Sequence, residues 1–321
     1  MQNPSIGLAL GGGAAKGWAH IGFMKALDEA GIKPDIISGT SMGAVVGGCW
    51  AAGKLDELED FARSLTQSRV FALLDVSLSG SGLINGSRLA NLLMKNLTGM
   101  QIEDLNTPFC CMATELENGN EIWLTKGDLS QSLQASYALP GIFKPVKVGD
   151  RWLVDGALVN PVPITACRAM GASYVIGVSL STAGVGIGTV MANTVTNMNA
   201  TEQEELDQVT DTSNTATNDT ATNDVERRSP KSQLRRQLLG EKKGAPGISS
   251  VMMQSFNIIQ DRIARSRLAG DPPDTLVTPS VSDIGLFDFY RAGDAIDAGY
   301  AAAQTIVREL APTKEQLTQT A

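Results

Sequence analysis

Histidine occurs once in 321 residues, at position 20. That scarcity removes most metal centres and leaves any Ser-His-Asp triad dependent on His20 alone. Aromatic residues are only 5% of the chain, and the four cysteines (Cys49, Cys110, Cys111, Cys167) are scattered without metal-ligand spacing. Cys110 and Cys111, as neighbours in a strand, are expected on opposite faces, and a reduced, cytoplasmic setting is expected. No run of about 18 apolar residues occurs, so no spanning helix is expected. Met1-Gln2-Asn3-Pro4 lacks the basic start of a secretory signal, and none is expected. Cations are outnumbered, giving a net charge of −8, which argues against a general nucleic-acid partner because phosphate binding needs clustered Lys and Arg.

Glycine is plentiful, at 33 residues, and 43% of the chain is hydrophobic, enough to bury a large core. Ile6 to Leu10 reads as a buried strand, followed by Gly11-Gly12-Gly13 and a helix from about Lys16 to Ala30. Pro34 precedes a second strand, Asp35 to Ser38, which runs into Gly39-Thr40-Ser41-Met42-Gly43 and a helix of small residues. This alternation of strand, glycine turn and helix predicts a mostly parallel α/β sheet. Leu55, Leu58, Phe61, Ala62 and Leu65 have helical spacing, as do Leu89, Leu92, Leu93 and Leu97. Asn118-Gly119 and Gly149-Asp150 mark two hairpins, the second ending at Asp155-Gly156. Tyr174 to Ser179 reads as a further strand, and Phe289 to Leu310 as a closing helix.

Residues 183–226 hold eight acids and no Lys or Arg, with a Thr-Asn-Asp repeat. Segment 184–245 is therefore expected to be a disordered insertion within a single domain spanning 1–321. Seven basic residues between Arg227 and Lys243, interleaved with leucines, read as a solvated linker, with a membrane-surface helix as the alternative. The apolar stripe Val251, Met252, Phe256, Ile259, Ile263 is expected to pack into the core, an acyl-chain groove or membrane contact being the other reading.

Gly39 to Gly43 matches G-x-S-x-G, in which a serine sits on a tight strand-to-helix turn with backbone amides aimed at it. The alternative is an ordinary N-cap serine. The glycine loop before Lys16 fits neither phosphate pattern: Trp18 follows Gly17 where Walker A needs Lys-Ser/Thr after its glycine, and Lys16 stands where G-x-G-x-x-G needs its last glycine. An oxyanion-binding loop remains. Asp155-Gly156 alone is a common turn, but beside the other two motifs Asp155 becomes a candidate base, with His20 as its competitor.

In this order the motifs Gly11 to Gly17, Gly39 to Gly43 and Asp155-Gly156-Ala157, together with Ala135 to Phe143, resemble the patatin-like phospholipases, including bacterial relatives of neuropathy target esterase. The resemblance spans roughly residues 5–180 and resumes near Ser250. It implies a three-layer α/β/α fold and a Ser41-Asp155 dyad without a catalytic histidine. Gly11, Gly12, Gly13 and Lys16 would hold the oxyanion and substrate, with no metal or cofactor. The implied substrates are phospholipids, lysophospholipids or other acyl esters, and peripheral contact with a membrane is compatible with them. Acyl transfer, thioester hydrolysis and a regulatory module with incidental turnover are the alternatives. A carboxylate with an ordinary pKa of about 3.9 is a weak base, so this chemistry needs burial to raise Asp155 or strong oxyanion donors.

Overall fold

Runs of apolar residues without polar alternation belong in strands covered on both faces, and such runs form the centre of the sheet. A computed structural model describes residues 5–73, 92–181 and 248–318. In chain order the principal elements are β1 (Ile6–Leu10), α1 (Ala19–Glu29), β2 (Ile36–Thr40), α2 (Met42–Ala51), α3 (Leu55–Arg63), α4 (Gln67–Leu73), β3 (Phe109–Glu115), β4 (Glu121–Leu124), α5 (Leu129–Ser136), β5 (Val146–Val148), β6 (Arg151–Asp155), α6 (Ile164–Ala169), β7 (Tyr174–Val178), α7 (Ile248–Gly270), β8 (Thr275–Val277) and α8 (Ala292–Thr318). Chain contacts group Met1–Thr182 with Ser255–Ala321 in one unit and Ala183–Gln254 in another. The first unit is the one described below. Segment 184–245, expected to be an insertion, and Leu89 lie outside the described residues.

Strands β3, β2, β1, β7 and β8 run parallel to one another in that order. The two expected hairpins add antiparallel strands: β4 and β6 both pair with β3, and β5 pairs with β6. Layers follow from the two faces of each strand. Leu8 and Leu10 of β1 point into the core shared with α1, α2 and α8, whereas Ala9 points to Val162, Ile164 and Cys167 beside α6. Cys110 and Cys111 likewise face opposite sides of β3. The fold is three-layer α/β/α with a mostly parallel central sheet.

β3 carries the arrangement that matters most. Met112 pairs with Thr40 of β2 and Trp123 of β4, while Ala113 pairs with Ile122 of β4 and Asp155 of β6. β4 therefore occupies one edge of β3, and β2 and β6 share the other edge end to end. The tip of β2 and the tip of β6 meet at Met112 and Ala113.

The sequence reading needs three corrections. The helix expected from Lys16 begins at Ala19, because a 3-10 turn (Ala14–Trp18) precedes it. Ala14 sits at φ +47°, outside helical space, and the tighter turn brings Gly17 against the Met42 side chain. The closing helix starts at Ala292 after a 3-10 turn at Phe289–Arg291 and runs on to Thr318. The apolar stripe of α7 is not core: Val251, Met252 and Ile259 are about half exposed. The helix instead turns Asn257, Gln260, Asp261 and Ala264, spaced at i, i+3, i+4 and i+7, toward the glycine loop.

α1 and α8 cross at two glycines, where backbone meets backbone. A Cβ at Gly22 would run into the Ile296 carbonyl, and one at Gly299 into the Ala19 carbonyl. Helix propensity alone favours alanine over glycine by about 1 kcal/mol, but here backbone occupies the space. Gly299→Ala is expected to destabilise the fold by about 1–3 kcal/mol, read as a lower urea midpoint with unchanged slope.

Candidate active site

Ser41 caps the junction between β2 and α2 with φ +54° and ψ −123°. A non-glycine residue held there costs about 1–3 kcal/mol, so the surroundings must impose it. Gly39 allows the sharp turn, since a Cβ there would lie 2.6 Å from the Ala44 nitrogen and 2.7 Å from the Gly43 carbonyl oxygen. Gly43 passes against the carbonyls of Leu10 and Gly11 with no room for a side chain. The Ser41 N–H donates to Ser136 Oγ at 2.8 Å, and its carbonyl accepts from Val45 N–H at 3.1 Å. The Thr40 hydroxyl donates to the Asn160 carbonyl at 2.8 Å, pinning the strand end.

Asp155 ends β6 at the seam described above. Its N–H donates to the Ala138 carbonyl at 3.0 Å, and its carbonyl accepts from the Thr114 hydroxyl at 2.9 Å. With the backbone fixed, the side chain has two partners: Oδ2 accepts from Ser41 Oγ at 2.8 Å, and Oδ1 accepts from Ala157 N–H at 2.9 Å. The residue is 3% exposed. Burial pushes its pKa up to about 7, against the opposing pull of the Ala157 and Ser41 hydrogen bonds. The turn that looks like a plain Asp-Gly corner thus holds a carboxylate suited to general base chemistry near neutrality.

The glycine loop comes to the same place. A Cβ on Gly12 would sit 3.5 Å from Ser41 Cβ and 3.4 Å from Ala157 Cβ. The loop amides divide by role. Gly11 N–H donates to the Val178 carbonyl and Gly12 N–H to the Pro161 carbonyl, both at 2.9 Å. The Gly13 N–H donates to no group among the described residues. Gly11 and Gly12 therefore shape the loop, and Gly13 keeps a free donor. Lys16 lines the same cavity as Gly12 and Gly13. Partial burial pulls its pKa down, and the fields of Asp261 and Asp283 resist that shift.

His20 is fully buried on α1, and its Nε2–H donates to the Gly11 carbonyl at 2.8 Å. A carbonyl can only accept, so the proton sits on Nε2, and Nδ1 has no partner. Burial lowers the pKa to about 4, leaving the ring neutral at pH 7. Neither ring nitrogen touches Ser41 or Asp155. His20 supports the glycine loop rather than competing with Asp155.

Ser41, Asp155 and the loop thus converge, while Ser136, Thr114, Asn160 and the Ala157 amide join them without having been marked as functional in the sequence. Ser136 and Ala157 lay in segments already singled out, but no spacing rule aims the Ser136 hydroxyl at the Ser41 amide or the Ala157 amide at the carboxylate.

The raised pKa of Asp155 carries a stability consequence. Between about pH 4 and pH 7 the unfolded chain releases a proton that the folded chain retains. Asp155 therefore costs stability progressively over that window, reaching about 4 kcal/mol when both states are ionised. Asp155→Asn is expected to gain stability relative to wild type as pH rises from 4 to 7. Denaturation at pH 4.5 and pH 8 checks this, and an equal difference at both values contradicts it.

Comparison with known proteins bears on the family of the chain. The family model for patatin-like phospholipases matches residues 8–168. An uncharacterized NTE family protein of Mycobacterium tuberculosis is 34% identical over 327 residues, covering 94% of this chain and 91% of that protein. Neuropathy target esterase of Drosophila melanogaster is 30% identical over 184 residues, covering 55% of this chain and 13% of that protein. A lysophospholipase of Mycosarcoma maydis is 33% identical over 191 residues, covering 55% of this chain and 10% of that protein. The matched span holds the glycine loop, the serine elbow and the aspartate turn, and the mycobacterial relative aligns nearly end to end, so this chain belongs to the patatin-like phospholipase family.

Proposed function

We propose that the chain is a serine acyl hydrolase that cleaves lipid-type carboxylic esters, with Ser41 as nucleophile and Asp155 as its base. The observation that carries this reading is the 2.8 Å hydrogen bond from Ser41 Oγ to a buried carboxylate whose pKa stands near 7. Membership of the family and the likeness to an esterase and a lysophospholipase support a lipid ester as substrate. Among the described residues no helix is long and apolar enough to cross a membrane.

In this mechanism Ser41 Oγ attacks the ester carbonyl carbon while its proton passes to Asp155 Oδ2. The tetrahedral oxyanion takes the free Gly13 N–H, with Lys16 adding positive field. Collapse breaks the bond to the alcohol oxygen, which takes the proton from Asp155 and leaves an acyl-serine. Water then attacks that acyl group, giving its proton to Asp155. The carboxylic acid departs as Ser41 Oγ recovers the proton.

A carboxylate serves as base only when ionised, so kcat/KM is expected to rise with pH through about 7 and level off above it. Hydrolysis of p-nitrophenyl acyl esters should vanish in Ser41→Ala and fall about 10²–10⁴-fold in Asp155→Asn. Both variants are expected to keep the wild-type circular dichroism. A folded Asp155→Asn that retains its rate removes the dyad.

A further inference from the structure

Gly11-Gly12-Gly13 has little conformational preference of its own, yet a donor on this loop is useful only if it points one way. Each peptide plane can be followed in turn. The plane between Gly11 and Gly12 is held at both ends: its carbonyl accepts from His20 Nε2–H at 2.8 Å, and its N–H donates to the Pro161 carbonyl at 2.9 Å. The plane between Gly13 and Ala14 is held at its carbonyl, which accepts from Lys16 N–H at 3.1 Å. The plane between these two carries the Gly13 N–H and has no hydrogen bond at either end among the described residues. Its direction is inherited from its neighbours.

Of the three groups that hold these planes, His20 alone is a side chain. It stands on a fixed platform, because α8 meets α1 on either side of it, with Gly299 against the Ala19 carbonyl and Ile296 against Gly22. The ring is fully buried, and its Nδ1 has no partner. An aliphatic side chain would fill the space without leaving a bare nitrogen in the core. What the ring supplies instead is one donor, at the Gly11 carbonyl. We infer that His20 is a positioning residue for ester hydrolysis: its Nε2–H fixes the Gly11–Gly12 peptide and thereby orients the Gly13 N–H, the donor that receives the oxyanion. It acts through the loop and touches no reacting atom. The inference rests on the hydrolase reading for its catalytic meaning, but the loop can be read without turnover.

Two variants of the full chain separate positioning from packing. His20→Leu keeps the bulk and removes the donor, whereas His20→Gln offers an amide N–H that can reach the same carbonyl. With p-nitrophenyl butyrate, kcat is expected to fall about 10–10²-fold in His20→Leu while KM stays within about twofold, as for a contact that matters only in the transition state. His20→Gln is expected to restore kcat to within about fivefold of wild type. Circular dichroism and melting temperature check folding, and His20→Asn, one methylene too short, replaces His20→Leu if that variant unfolds. Amide relaxation dispersion reads the loop itself: Gly13 should be quiet in wild type and His20→Gln, and should exchange on the microsecond-to-millisecond scale in His20→Leu. A folded His20→Leu that keeps its kcat, or a loss that His20→Gln does not recover, overturns the inference. So does a Gly13 amide that stays quiet in every variant. Wild type that hydrolyses no ester, with Gly13 still loosened by His20→Leu, refutes the hydrolase reading and leaves the loop positioning standing.

Discussion

A carboxylate sealed from water is a stronger base, and it can act on a hydroxyl only where the fold holds the two at hydrogen-bond distance. In this chain that condition is met where β2 and β6 abut along one edge of β3. Thr40 and Asp155 oppose consecutive residues of β3, so the side chain one residue beyond β2 and the last side chain of β6 meet at hydrogen-bond distance. The helices, the glycine turns and the serine hydroxyl behind the Ser41 amide all preserve that meeting. Loss of solvent raises the carboxylate pKa toward 7, while two short hydrogen bonds keep its oxygens pointed.

Holding the elbow is a question of space. Small residues are concentrated where backbone meets backbone, at Gly39 and Gly43 in the elbow and at Gly22 and Gly299 between α1 and α8. Charge follows the same economy: the lone histidine is kept neutral by burial and spends its one proton on the Gly11 carbonyl. Among the described residues Asp155 is the one ionisable side chain bonded to Ser41 Oγ.

Much of this was legible in the amino-acid order, and the division has a physical cause. Strands read to within a residue or two, as for Tyr174 to Ser179 against Tyr174–Val178 and Asp35 to Ser38 against Ile36–Thr40, because such runs must be covered on both faces, and both hairpins read from their turn residues. The serine elbow was legible because glycine is required on either side of it. The end-to-end meeting of β2 and β6 was not, since register across 114 residues leaves no local periodicity. For the same reason Ser136 carried no mark. The division of loop amides, with Gly11 and Gly12 bonded to Val178 and Pro161 and Gly13 free, depends on carbonyls about 150 to 170 residues away. The outward apolar stripe of α7 misled because amphipathicity shows that a helix has two faces, not which of them the fold needs.

The central claim is that one buried carboxylate, ionising near neutrality, activates one serine. Covalent capture by a fluorophosphonate reads both groups at once, because the reagent reacts only with an activated hydroxyl and needs no particular lipid. Labelling rate measured from pH 4 to pH 9, with the modified peptide identified by mass, should map to Ser41 and rise about a midpoint near 7. A rate that is flat across that range, or a label on any other residue, would contradict the account.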